Sequence, residues 1–200
     1  MSDLTFVCCA FNEARQLPMM LATLPRGARV VVIDGAYRSF PHEVPWSTDG
    51  TLEIAERFGC EVVRVDRPWD DQVAKRTVAL AYGTVFIIDA DELLTGVPVP
   101  DRGDCGWVEI CNPTLYGDSY RQPRLFHAGP GWHYGGRHHW VYDAAGRLVA
   151  GHGQPGESFH HYDLPVVLHN VRHWRDPERL AAKTEYQFIQ RREELVNDAP

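Results

Sequence analysis

Val85-Phe86-Ile87-Ile88-Asp89-Ala90-Asp91-Glu92 is the stretch on which the reading of this chain turns. Four β-branched or aromatic residues run directly into a segment carrying three carboxylates. So short an apolar run reads as a strand covered on both faces. The acids then stand where that strand leaves the sheet, at its carboxyl end, which is where open α/β sheets bind ligands. Asp89 and Asp91 are two residues apart, so an extended backbone points them the same way. Two oxygen donors on one side suit a hard divalent cation, Mn²⁺ or Mg²⁺. Such a cation with open positions suits a diphosphate.

Upstream, the pattern repeats. Thr5 to Phe11 reads as a first strand, closed by Asn12-Glu13. Apolar residues at 17, 20, 21 and 24 carry a helical spacing, and Pro25-Arg26-Gly27 stops it. Arg29 to Ile33 is a second buried run, ending in Asp34-Gly35. Ser47-Thr48-Asp49-Gly50-Thr51 offers N-caps for a helix from Leu52 to Phe58, with Gly59 beyond it. Glu61 to Val65 is a third strand, and Asp70 or Asp71 caps a helix through Ala81. The order βαβαβαβ implies a mostly parallel sheet with helices on both faces. Glu13, Asp34 and Asp89 all fall at strand ends, which implies one shared crevice. Neither a GxGxxG after the first strand nor a GK[ST] loop is present, so dehydrogenase and NTPase readings lose their support.

After Glu92 the texture changes. Val97-Pro98-Val99-Pro100 reads as a connector, and Gly106–Cys111 and Ser119–Phe126 as antiparallel strands. Asp176-Pro177-Glu178 is a helix start, with the helix running to about Glu194 and carrying a basic face. The expected organisation is one domain: residues 1–95 as a ligand-binding half, 96–175 as a second half, and 176–196 as a C-terminal helix.

Composition fits a soluble globular protein: 200 residues, 44% hydrophobic and 24% charged. No apolar run approaches the ~20 residues of a membrane span, and the start Met1-Ser2-Asp3 lacks a basic leader, so a cytoplasmic location is expected. Five cysteines form no CxxC, and the neighbours Cys8 and Cys9 should point to opposite faces as reduced, buried residues. A net charge of −7 argues against nonspecific nucleic-acid binding. Eight of the ten histidines lie between His133 and His173, which raises a histidine-rich metal site as an alternative, although no HExxH supports it.

Taken together, these residues resemble family 2 glycosyltransferases of the GT-A fold. The resemblance is carried by Phe11-Asn12-Glu13, Val31-Val32-Ile33-Asp34, Ser47 to Thr51, Lys75-Arg76 and the DxD-like Asp89-Ala90-Asp91-Glu92. Arg124-Leu125-Phe126, Gly136-Arg137-His138-His139 and His169 extend it to roughly residues 4–190. It implies a nucleotide-diphosphate sugar donor, most often UDP-linked, and a metal-dependent, inverting transfer to an acceptor hydroxyl. Asn12, Glu13 and Asp34 would line the base and ribose pocket. Lys75 and Arg76 would face the diphosphate, unless they are only an exposed helix pair. Asp89 would lie near the ribose or the metal, Asp91 would be the main metal ligand, and His139 or His169 would complete the set. The resemblance does not name the base: Asp118, Glu109 and Glu157 are all open, with Asp118 favoured. The acceptor is equally open among a glycan, a protein, a small molecule and a modified nucleic-acid base.

Two departures from the family pattern stand out. Residues 36–46 are an insertion that could form a lid, an acceptor wall or a longer loop, and Trp140 stands where the family often has Glu. Trp69, Trp132, Trp140 and Trp174 are candidates for stacking on a sugar or base. The runner-up functions are a nucleotidyltransferase-like enzyme and a non-catalytic sugar-nucleotide-binding protein.

Overall fold

The computed structural model describes residues 4–38, 40, 42–111, 119–135, 140–151, 154–171, 177–178 and 181. β1 (Thr5–Ala10), α1 (Leu17–Thr23), β2 (Arg29–Asp34), α2 (Thr51–Arg57), β3 (Glu61–Val63), α3 (Gln72–Leu80) and β4 (Thr84–Ile87) follow in the expected βαβαβαβ order. Then come β5 (Glu92–Thr95), β6 (Cys105–Cys111), β7 (Ser119–His127), β8 (His133–Gly135), β9 (Trp140–Tyr142), β10 (Leu148–Gly151), β11 (Gln154–Pro155) and β12 (His161–Asn170). The helix expected from Asp176 lies almost wholly outside the described residues.

One large sheet carries the order β3-β2-β1-β4-β7-β6-β12-β5. It is parallel through β3-β2-β1-β4 and again between β6 and β12. It is antiparallel where β4 meets β7, β7 meets β6, and β12 meets β5. A small antiparallel sheet, β11-β10-β9-β8, stands beside it. The fold is the mixed α/β sheet that was expected, and the strands after Glu92 extend the same sheet.

Local chemistry accounts for the elements. Pro18 falls in the first turn of α1, where its missing N–H costs nothing, and Leu17, Met20 and Leu21 face inward. Asp71, not Asp70, caps α3 by accepting from the Ala74 N–H at 2.7 Å. Asp70 instead pairs with Arg38 on the surface. The sheet's two faces bury separate clusters. Phe6, Cys8, Val32, Phe86 and Ile88 pack under α1 and Ala55 of α2. Val7, Val31, Ile33, Val85 and Ile87 pack under Ala79 and Leu80 of α3, with Tyr134, Val141 and Val149 of the small sheet. Helices therefore cover both faces. Cys8 and Cys9 do point to opposite faces, and burial pushes both free thiols up.

The expectation for Asp89 and Asp91 needs one correction. β4 ends at Ile87, and the chain turns, with the Glu92 N–H donating to the Asp89 carbonyl at 3.0 Å. The two acids are therefore not alternate residues of an extended strand. The turn has a physical cause, because the Glu92 carboxylate accepts from the Asp89 N–H at 2.9 Å and so closes the loop from both sides. From there the chain leaves β4 altogether and runs as β5 against β12 at the far edge.

Candidate functional site

The carboxyl ends of β1, β2 and β4 meet where the chain order of the strands reverses, the usual ligand crevice of an open α/β sheet. Two short segments are laced together there. The Asn12 N–H donates to Ser47 Oγ at 2.7 Å, and the Thr48 N–H donates to Asn12 Oδ1 at 2.8 Å. The Glu13 N–H donates to Thr51 Oγ1 at 2.7 Å, and the Ala14 N–H donates to Asp49 Oδ2 at 3.0 Å. Asn12 takes a left-handed φ of 51°, which asparagine tolerates better than most residues. Asp34 anchors the second segment, accepting from Ser47 Oγ at 2.5 Å and Ser47 N–H at 2.9 Å. Asp34 is completely buried, so it shapes the wall through Ser47 rather than presenting its own oxygens.

Lys75 and Arg76 are not an exposed helix pair: both are buried. Lys75 does not face open space as expected for a diphosphate ligand. Its ammonium donates to the Ala10 carbonyl at 2.6 Å and the Gly35 carbonyl at 2.7 Å, and lies 5.3 Å from the Tyr37 ring centre. Burial pulls its pKa down, and nearby Cys9 and Asp34 oppose that pull. Lys75 thus ties the ends of β1 and β2 to α3.

Arg76 donates to Asp89 Oδ1 at 2.6 Å. Arg124 of β7 reaches Asp89 Oδ2 at 3.4 Å and also pairs with Glu92. Burial disfavours the Arg76 charge, but Asp89 together with Tyr134, Cys9 and Tyr37 outweighs it, and the guanidinium stays protonated. Burial also pushes the Glu92 carboxyl up to about 8, with Asp89 and Asp91 adding to the shift and Arg124 opposing it. Two buried guanidinium groups therefore flank Asp89 and Glu92. The sequence motifs contain Arg124 and Glu92 but do not mark either as a site residue. The signal was available, since a buried acid implies a counter-charge.

Asp91 is buried, and its carbonyl accepts from the Val171 N–H at 2.7 Å. His169 pairs in register with Leu93, so the end of β12 runs beside the segment that leaves Asp91. His169 is exposed. His139 and Asp118 lie outside the described residues, while Glu109 and Glu157 are exposed. Asp91 has the oxygen chemistry for a hard cation, but Asp89 is held by two guanidinium groups. Among the described residues, no three His, Cys, Asp or Glu groups converge. The described residues do not by themselves make a cation site.

The insertion is a closed loop. The Ala36 N–H donates to the Pro45 carbonyl at 2.9 Å, which brings its ends together, and Phe40 packs edge-on against Phe11 at 5.8 Å. Trp69 holds the loop's root, donating its indole N–H to the Asp34 carbonyl at 2.8 Å. Trp132 packs edge-on against Phe159, and Trp140 lies over Gly151. These three tryptophans are engaged within the protein, and Trp174 lies outside the described residues.

Fold and geometry together define an α/β protein with a cluster of buried charged side chains at the strand ends. No family model matches the sequence. Proteins named uncharacterized glycosyltransferase from Mycobacterium bovis and Mycobacterium tuberculosis are 33% identical over 97 residues, 48% of this chain. The match spans 40% of the length of those proteins. Staphylococcus aureus TarS matches with a TM-score of 0.43 at 19% identity, over 54% of this chain and 21% of TarS. A second TarS structure matches with a TM-score of 0.37 at 21% identity, over 46% of this chain and 28% of that one. No helix among the described residues is long and apolar enough to cross a membrane.

Proposed function

We propose that the chain carries the donor-binding fold of a glycosyltransferase that takes its sugar from a nucleoside-diphosphate donor, UDP being the first to try. One observation carries the reading: Asn12-Glu13 and Asp34 stand at the carboxyl ends of β1 and β2, and Asp89, just beyond β4, pairs with Arg76 of α3. The reaction breaks the bond between the anomeric carbon and the diphosphate, and the acceptor oxygen forms the new one. The departing diphosphate gains negative charge, which fixed cations stabilise without reorganising. Arg76 and Arg124 are such cations, oriented by Asp89 and Glu92. The acceptor proton passes to a base. An inverting, single-displacement course with Asp118 as that base belongs to this proposal. Asp91, with His139 and His169, would hold an Mn²⁺ or Mg²⁺ ion, which would add positive charge beside the departing diphosphate.

The test is turnover. The protein is incubated with UDP-, GDP-, CDP- and dTDP-sugars, and released nucleoside diphosphate is quantified for wild type and Asp91→Asn. One base should support release above background, falling about 100-fold or more in Asp91→Asn, a loss typical of a displaced positioning group. Release that is identical in the two proteins removes Asp91 from the site. Release of pyrophosphate instead would favour a nucleotidyltransferase.

A further inference from the structure

A second pocket opens on the α3 side of the large sheet, with a volume of about 310 Å³. It is lined by Trp107, Arg121, Pro155, His161, Tyr162 and Asp163, from β6, β7, β11 and β12. None of these residues belongs to the strand-end crevice. We propose that this pocket is an acceptor subsite that binds an uncharged, hydroxyl-rich saccharide. The proposal rests on the glycosyltransferase reading above.

Its position comes first. Arg124 and Arg121 lie on the same strand, three residues apart, which is about 10 Å at ~3.3 Å per residue. Arg124 touches Asp89 and Glu92, whereas Arg121 stands over the Trp107 ring at 5.7 Å. A saccharide in the pocket would therefore lie within a few sugar units of the proposed reacting centre.

The chemistry of the lining selects a neutral ligand. Arg121 pairs with Asp163, and the two charges cancel. The Trp107 indole N–H can only donate, so His161 Nδ1, 2.9 Å away, must accept. The proton is then on Nε2, which donates to the Gly156 carbonyl at 3.1 Å. Both imidazole nitrogens are spent, and the ring is fixed as the uncharged tautomer. The pocket thus has no unbalanced charge to hold a phosphate or a carboxylate. What it offers is a guanidinium and a carboxylate side by side, 61% and 71% exposed, donating and accepting at adjacent points. Exposed Pro155 adds an apolar wall. A sugar ring, with vicinal hydroxyls and one apolar face, matches that arrangement. The volume is at the small end of the ~300–1,000 Å³ typical of ligand pockets, which fits a short saccharide rather than a long chain.

The test is saturation-transfer NMR on the full chain. The probes are neutral methyl glycosides and disaccharides of glucose, galactose, mannose and N-acetylglucosamine, with glucuronate and glucose 6-phosphate as charged controls. Thermal stabilisation by nucleoside diphosphates is recorded on the same samples. At least one neutral saccharide should bind, and Arg121→Ala and Asp163→Ala should each weaken it about tenfold, the loss of one charge-assisted hydrogen bond. Both side chains are exposed, so both variants should fold and respond to nucleotides as wild type does. The proposal is overturned if no neutral saccharide binds, if the charged sugars are preferred, or if affinity ignores both substitutions. Nucleotide response without saccharide binding condemns the pocket alone. Saccharide binding without nucleotide response condemns the donor reading and supports the pocket.

Discussion

Lys75 shows how burial changes the meaning of a residue. Beside Arg76, near a crevice, it reads as a phosphate ligand, but its ammonium is spent on the carbonyls of Ala10 and Gly35. Sequence can supply the positive charge, but not the two carbonyls that a strand end and a turn bring within reach. Lys75→Met leaves those carbonyls without a donor. It should cost roughly 2 kcal/mol in urea unfolding, while the folded variant keeps its affinity for nucleoside diphosphates. A loss of affinity with stability intact would return Lys75 to the ligand. Glu92 supports a pH prediction. Burial raises its carboxyl to about 8 in the folded protein, against ~4.3 in the unfolded chain. Between those values the folded state keeps a proton that the unfolded state has released, so stability is full below the window and falls as pH rises through it. Relative to Glu92→Gln, wild type should lose at most about 1.4 kcal/mol per pH unit between about pH 5 and 8. Urea midpoints taken across that range will show the slope, and parallel curves for the two proteins would rule it out.

At the scale of elements, the legible parts were those with a local cause. β1, β2 and β4 are continuous apolar runs, α3 has its cap in Asp71, and α1 has its proline at the start. The illegible parts depend on distant partners. β5 is four residues long and finds its partner in β12. Without that pairing, nothing in Glu92–Thr95 distinguishes a strand from a loop. β12 carries Pro165, which cannot join a ladder as a donor, and its register against β6 shifts between Asp163 and Val167. The crevice was legible as residues at strand ends, but the lacing of Asn12–Ala14 to Ser47–Thr51 is tertiary. Gly35 tests how tightly the insertion's root is set. Its φ is +127°, and a Cβ there would lie 2.8 Å from Trp69 Nε1 and 3.1 Å from the Pro45 carbonyl oxygen. Gly35→Ala should cost roughly 2–4 kcal/mol. Gly27, at φ +75° with nothing within 4 Å of a Cβ, is the control. Gly27→Ala should cost about 1 kcal/mol, the backbone strain alone. Equal shifts in Tm would mean that the loop root yields.

Over the whole molecule, one sheet serves both proposed ligands. β1, β2 and β4 end at the strand-end crevice, and β7 runs from there to the second pocket, with Arg124 at one end of that path and Arg121 at the other. The chain covers less than half of its mycobacterial relatives' length, so its activity is a matter for experiment on this chain itself. The most direct measurement is thermal stabilisation by UDP, GDP, CDP and dTDP, each with Mn²⁺ and with EDTA. A ligand at 100 times its dissociation constant stabilises by ~2.7 kcal/mol, enough to move Tm visibly. One of the four should raise Tm clearly above the rest, which would name the base of the donor; loss of the shift in EDTA would add the cation. No shift with any of them, in either condition, would contradict a nucleoside-diphosphate site at these strand ends.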